Sequence, residues 1–162
     1  MKKIIILIFS FLIFGQITFS QNRTLPNVTL KTLDGKNINI QDIENDGKPI
    51  VICFWATWCK PCVLELNNIA DVYEEWQEET GVKIVAVSID NSRSVSRVKP
   101  RVEANGWDYE ILLDVNSDLK RAMGVGNPPY TFLLNSKKEI IYVHNGYMEG
   151  DEDELYEKIK KM

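Results

Sequence analysis

Phe54-Trp55-Ala56-Thr57-Trp58-Cys59-Lys60-Pro61-Cys62 joins an apolar, strand-like run that begins at Ile50 to a helix-like stretch, and two cysteines stand at the join. Spaced by two residues at a first helical turn, Cys59 and Cys62 can close a disulfide, which needs Cα atoms roughly 4.4–6.8 Å apart, or stand open as a dithiol. The free amides and dipole of a helix N-terminus favour an anion, so the Cys59 thiolate is stabilised and its pKa falls below the ordinary value of about 8.5. Lys60 adds positive charge. Pro61 suits a first turn, because its φ is already helical and the N–H it lacks has no intrahelical partner there. Together these features indicate thiol–disulfide chemistry. Two other readings compete. A C-x-x-C pair forms half of many zinc sites, but structural zinc takes four ligands, and the rest of the chain offers one cysteine, Cys53, and one histidine, His144. A purely structural disulfide is the other, yet a bridge closing so short a loop removes little chain entropy.

Working outward, residues 27–33 and 36–40 flank Asp34-Gly35, a hairpin turn signal, and this hairpin is expected to cover one edge of a sheet. The near-continuous apolar character of residues 50–55 fits a central strand buried on both faces. From Cys59 or Lys60 to about Glu79, Val63, Leu66, Ile69, Ala70, Tyr73 and Trp76 recur at helical spacing, and Gly81 supplies a stop. A second buried strand is expected over 82–89, a helix over 92–105 disturbed by Pro100, a short strand over 109–113 and a short helix over 117–123. Such alternation implies parallel strands joined by crossovers. Residues 130–134 and 139–144 then read as a hairpin and 151–161 as a helix with Leu155 and Ile159 inward, giving an α/β chain whose β-α-β half precedes a β-β-α half. Cys53, between Ile52 and Phe54, reads as a small buried hydrophobe, with a third redox thiol as the alternative.

At the N-terminus Lys2 and Lys3 precede an apolar run, and Thr18 and Ser20 lead into Gln21. This is the pattern of an export leader, residues 1–20, cleaved after Ser20; an uncleaved membrane anchor over residues 4–19 is the alternative. Either places the domain, residues 21–162, outside the cytoplasm, in the periplasm or an equivalent compartment. Without Lys2 and Lys3 the charge of −4 becomes −6, with 17 basic against 23 acidic residues, which argues against nucleic-acid or anionic-membrane partners.

The element order, with Trp58-Cys59-Lys60-Pro61-Cys62 at a helix start and Pro129 before a late strand, resembles the thioredoxin superfamily. The leader, the N-terminal hairpin, the extra strand and helix after Ile89, and Glu65 make it most similar to the exported TlpA/ResA-type thiol–disulfide oxidoreductases. The resemblance covers roughly residue 25 to the C-terminus. It implies a thioredoxin-like fold, a central mixed β-sheet flanked by helices with an N-terminal β-hairpin. It also implies a cis-proline facing the dithiol, matched by Pro129 in Gly126-Asn127-Pro128-Pro129-Tyr130; a plain loop breaker is the alternative for this pair. Pro128 departs from the family, whose residue there commonly offers an N–H to a bound peptide. Cys53 stands where thioredoxins proper carry a buried Asp, and in the ResA-like branch a Glu three residues after the second cysteine takes over proton exchange, a position held here by Glu65. An exposed Glu65 that merely complements the helix dipole is the competing reading.

The expected mechanism is attack by Cys59 on a partner disulfide and release by Cys62, with Trp58, Pro128 and Pro129 flanking the attacked sulfur and no cofactor beyond the dithiol. The resemblance implies protein thiols and disulfides as partners, apocytochrome c among them, a membrane thiol–disulfide carrier as electron donor, and action as a reductant. A copper or metal chaperone of the same fold is the rival function, with His144 as the candidate extra ligand. Peroxidase chemistry is disfavoured, because the Thr-x-x-Cys it uses is absent: one residue separates Thr57 from Cys59.

Overall fold

The computed structural model describes residues 23–162, so the leader expected over residues 1–20 lies outside the described residues. Thr29–Thr32 (β1) and Asn37–Asn39 (β2) form the N-terminal hairpin around Asp34-Gly35, where Gly35 takes a φ of 83°. Ile50–Trp55 (β3) leads into Lys60–Thr80 (α1), Lys83–Ser88 (β4), Val98–Asn105 (α2), Glu110–Leu113 (β5) and Asp118–Ala122 (α3). Tyr130–Leu134 (β6), Ile140–Asn145 (β7) and Asp151–Ile159 (α4) complete the domain. The strands make one seven-stranded sheet in the order β2-β1-β5-β4-β3-β6-β7. Pairings β3–β4 and β4–β5 are parallel, and β1–β5, β3–β6 and β6–β7 antiparallel, so the sheet is mixed and the hairpin covers one edge.

Every residue of β3 is buried, as its unbroken apolar run requires of a strand with neighbours on both sides and cover on both faces. The buried stripe of α1 is Cys62, Glu65, Leu66, Ile69, Tyr73 and Trp76, while Val63 and Ala70, expected in it, are only partly buried. Gly81 ends the helix in the left-handed region at φ 68°, its N–H donating to Gln77 O at 2.8 Å, and each large side chain this helix buries is worth ~1.5–3 kcal/mol. Trp76 stacks flat on Tyr156 at 5.0 Å between centroids and so docks α4 on α1.

The helix expected over 92–105 starts later. Asn91 draws the chain into a turn, its Oδ1 accepting from Arg93 N and its carbonyl from Ser94 N and Val95 N. A 3-10 turn at Val95–Arg97 follows, and α2 begins at Val98. Pro100 therefore falls in the first turn, where its missing N–H costs nothing, and does not disturb the helix.

Candidate active site

Cys59 is the N-cap of α1, and its Sγ accepts from Cys62 N at 3.3 Å. The two cysteines are joined by a disulfide with their Cα atoms 5.3 Å apart. Cys59 is 5% exposed and Cys62 fully buried, so Cys59 is the sulfur an incoming partner meets. The preceding loop is tied down at Thr57, whose N–H and hydroxyl donate to Asp90 Oδ2 and Oδ1 at 2.8 and 2.6 Å. Asp90 is itself fully buried and accepts from Ser88 Oγ at 2.9 Å. With its neighbour held in this way, Trp58 projects outward, 61% exposed.

The parallel ends of β3 and β4 deliver this loop, Ile89 N donating to Trp55 O at 2.9 Å. On the other flank of β3 the register sets Tyr130 beside Phe54, which brings the Pro128–Pro129 segment to the end of the sheet where the Cys59 loop leaves. The Pro128–Pro129 bond is cis. Pro129 is buried, with its carbonyl accepting from Gly146 N at 2.9 Å, and Pro128 is half-buried.

Behind the dithiol lies a buried polar cluster. Glu65, one turn after Cys62, is 4% exposed; its Oε1 accepts from Thr131 Oγ1 at 2.7 Å and its Oε2 has no partner among the described residues. An exposed Glu65 serving only the helix dipole is thereby excluded. Burial pushes its carboxyl up from 4.5 to about 7, the Thr131 hydroxyl opposing the rise and the charges of Asp151 and Glu152 adding to it. Cys53 on β3 is fully buried, unbonded to another cysteine, and pairs in register with Thr131 on β6, whose hydroxyl lies 3.8 Å from its sulfur. Burial and the neighbouring Glu65 raise the Cys53 thiol well above its ordinary range, which keeps it protonated and inert.

His144 sits across from Thr131 on β7, and both ring nitrogens are engaged, Nε2 at 3.0 Å from Asp151 and Nδ1 at 3.3 Å from the Tyr142 hydroxyl. The ring the metal-chaperone reading would enlist is thus committed to α4 and β7. Among the described residues no group of three or more His, Cys, Asp or Glu is placed to hold a metal ion. Thr131 and Asp90 escaped the sequence reading: one is an ordinary strand threonine, the other an acid after a strand, and only the fold gives them neighbours. The faint signal for Thr131 was its place two residues after the Pro-Pro pair.

Residues 22–143 match the AhpC/TSA family. The thiol-disulfide oxidoreductase ResA of Bacillus subtilis is 31% identical over 134 residues, spanning 83% of this chain and 72% of ResA. An uncharacterized thioredoxin-like protein from Porphyromonas gingivalis superimposes with a TM-score of 0.76 at 49% identity, over 85% of this chain and 90% of that one. StoA from Bacillus subtilis superimposes with a TM-score of 0.64 at 30% identity, over 82% of this chain and 99% of its own. With a cysteine pair at a helix start, a buried glutamate behind it and a thioredoxin-like sheet beneath, the chain belongs to the AhpC/TSA family and, within it, to the ResA-like thiol-disulfide oxidoreductases.

Proposed function

We propose that this thiol–disulfide oxidoreductase acts outside the cytoplasm as a reductant of protein disulfides, with Cys59 attacking and Cys62 resolving. The observation that carries the assignment of roles is the difference in access: Cys59, the helix cap, keeps 5% exposure, and Cys62 keeps none. In the reduced enzyme the Cys59 thiolate attacks one sulfur of the partner disulfide, forming a mixed disulfide and releasing the other sulfur as a thiolate that takes a proton. Glu65 takes the proton of Cys62, whose thiolate attacks the Cys59 sulfur, closes the ring and releases the second partner sulfur as a thiolate, which takes that proton back from Glu65. Two electrons pass to the partner, with one proton from Cys62 by way of Glu65 and one from water, and no cofactor takes part. Trp58, Pro128 and Pro129 flank the attacked sulfur.

The export leader over residues 1–20 supports the location, whether cleaved after Ser20 or kept as an anchor; among residues 23–162 no helix is long and apolar enough to cross a membrane. Oxidised cysteines such as those of apocytochrome c are the substrates this reading favours, and a membrane thiol–disulfide carrier recharges the dithiol. The test is a pair of variants. Cys62→Ser accumulates mixed disulfides with a model protein disulfide, seen as adducts under non-reducing conditions, and Cys59→Ser forms none. A Cys59→Ser protein that still reduces the disulfide would falsify the assignment.

A further inference from the structure

Beside the dithiol runs a groove of about 430 Å³ between the Cys59 loop and α2, lined by Thr57, Trp58, Arg97, Pro100, Arg101 and Ala104. Both walls are fixed. Thr57 is tied to buried Asp90, and α2 is seated by Val98 and Val102, which are buried and turn Arg97 and Arg101 to the outer face, one helical turn apart. Trp58, Pro100 and Ala104 give the groove an apolar floor, and the arginines give it a cationic rim. Among the described residues neither guanidinium makes an ion pair with an acid, whereas Lys99 on the same helix is paired with Glu103 at 3.9 Å. Exposed Lys60, next in sequence to Cys59, adds a further positive charge near the reactive sulfur. The chain carries a net charge of −4, so unpaired cations beside the reactive sulfur run against its overall balance.

Resting on the proposed reductant function, we infer that the protein substrate carries acidic residues in the segment next to its reactive cysteine. Arg97 and Arg101 hold those carboxylates while an apolar side chain of the same segment lies on Trp58. The net negative charge repels such a segment elsewhere on the surface, and the rim attracts it here, so charge fixes the approach as well as the docked position. An apolar side chain on the exposed Trp58 ring orients the segment, and the substrate sulfur then meets Cys59, the next residue.

The test uses three synthetic disulfide-bonded peptides of equal length, with Asp and Glu, with Ser and Asn, or with Lys flanking the cysteine, each mixed with the reduced protein. The acidic peptide is expected to react roughly fivefold faster than the neutral one at low ionic strength, and the lysine peptide slowest, with the spread closing in high salt. Arg97→Gln with Arg101→Gln removes the preference for the acidic peptide, and Arg97→Glu with Arg101→Glu inverts it. Lys99→Glu, whose partner is Glu103, leaves the order unchanged. Equal rates for the three peptides, or a preference that survives both double variants, overturns the groove and leaves the dithiol chemistry standing. Absence of exchange with every peptide overturns the groove and the proposed function together.

Discussion

Glu65 is the residue at which stability and chemistry oppose each other. Burial lifts its carboxyl from 4.5 to about 7, so between those values the folded protein holds a proton that the unfolded chain has released. Stability therefore falls as pH rises through that window, by a total on the order of 3 kcal/mol. Glu65→Gln keeps the shape and removes the titration: urea unfolding of the oxidised variant is expected to lose this decline, and an equal decline in both proteins would remove Glu65 as its source. The same substitution is expected to remove a step near pH 7 from the exchange rate. Thr131→Val takes away the hydroxyl bonded to Oε1, which opposes the upward shift, so the Glu65 titration should move further up. Infrared difference spectra of the carboxyl band against pH would show the direction; a downward move would mean that Thr131 does not favour the ionised form. The two cysteines stood out in the sequence by their spacing at a helix start, and Glu65 by the family resemblance together with its place one turn after Cys62. Thr131 and Asp90 were not, because strand pairing across distant segments makes them neighbours.

At the scale of elements, local pattern identified most of the secondary structure, and side-chain capping from a distance explains the rest. The apolar run of β3, the Asp-Gly hairpin and the helical spacing of α1 each carry a local signal, and all three elements are present in the structure, with Cys62 and Glu65 buried in α1 rather than Val63 and Ala70. The start of α3 is different. Ser117 looks like its cap, yet it sits at φ 57° with no side-chain bond to the helix. Asp114, fully enclosed at the end of β5, does the capping, its carboxylate accepting from the N–H groups of Asp118, Leu119 and Lys120 at 2.7, 3.2 and 2.8 Å. Asp114→Ala strands three N–H donors, that of Leu119 buried and those of Asp118 and Lys120 part-buried, and should cost about 2 kcal/mol in denaturant unfolding. Because α3 leads into the Pro128–Pro129 segment, the variant should also show faster amide exchange in α3 than in β3. Unchanged stability would mean that water or Ser117 can replace the cap.

For the whole molecule, folding stability sets the direction of electron flow. The sequence reading placed the N-terminal hairpin at a sheet edge but did not name β5 as its neighbour, because the Lys31–Leu113 and Thr32–Leu112 pairs join segments with no shared local pattern. That docking extends the β3–β4–β5 core into one cooperative sheet, so a change at the dithiol is felt as a change in global stability. Folded and unfolded chains each have an oxidised and a reduced form, and the four states close a cycle. If folding favours the disulfide over the dithiol, the folded dithiol gives up its electrons more readily than the unfolded one and acts as a reductant. Two effects compete: the helix N-terminus stabilises the Cys59 thiolate and hence the reduced form by about 0.3–1 kcal/mol, while opening the ring leaves buried Cys62 as a free thiol beside Glu65. For a reductant the second must win. A potential about 60 mV below that of the unfolded dithiol corresponds to roughly 2.8 kcal/mol of extra stability in the oxidised form, or a rise in Tm on the order of 5–10 °C. Calorimetry of the oxidised protein and of the protein held reduced checks this directly, and a reduced form that melts higher would make the enzyme an oxidant.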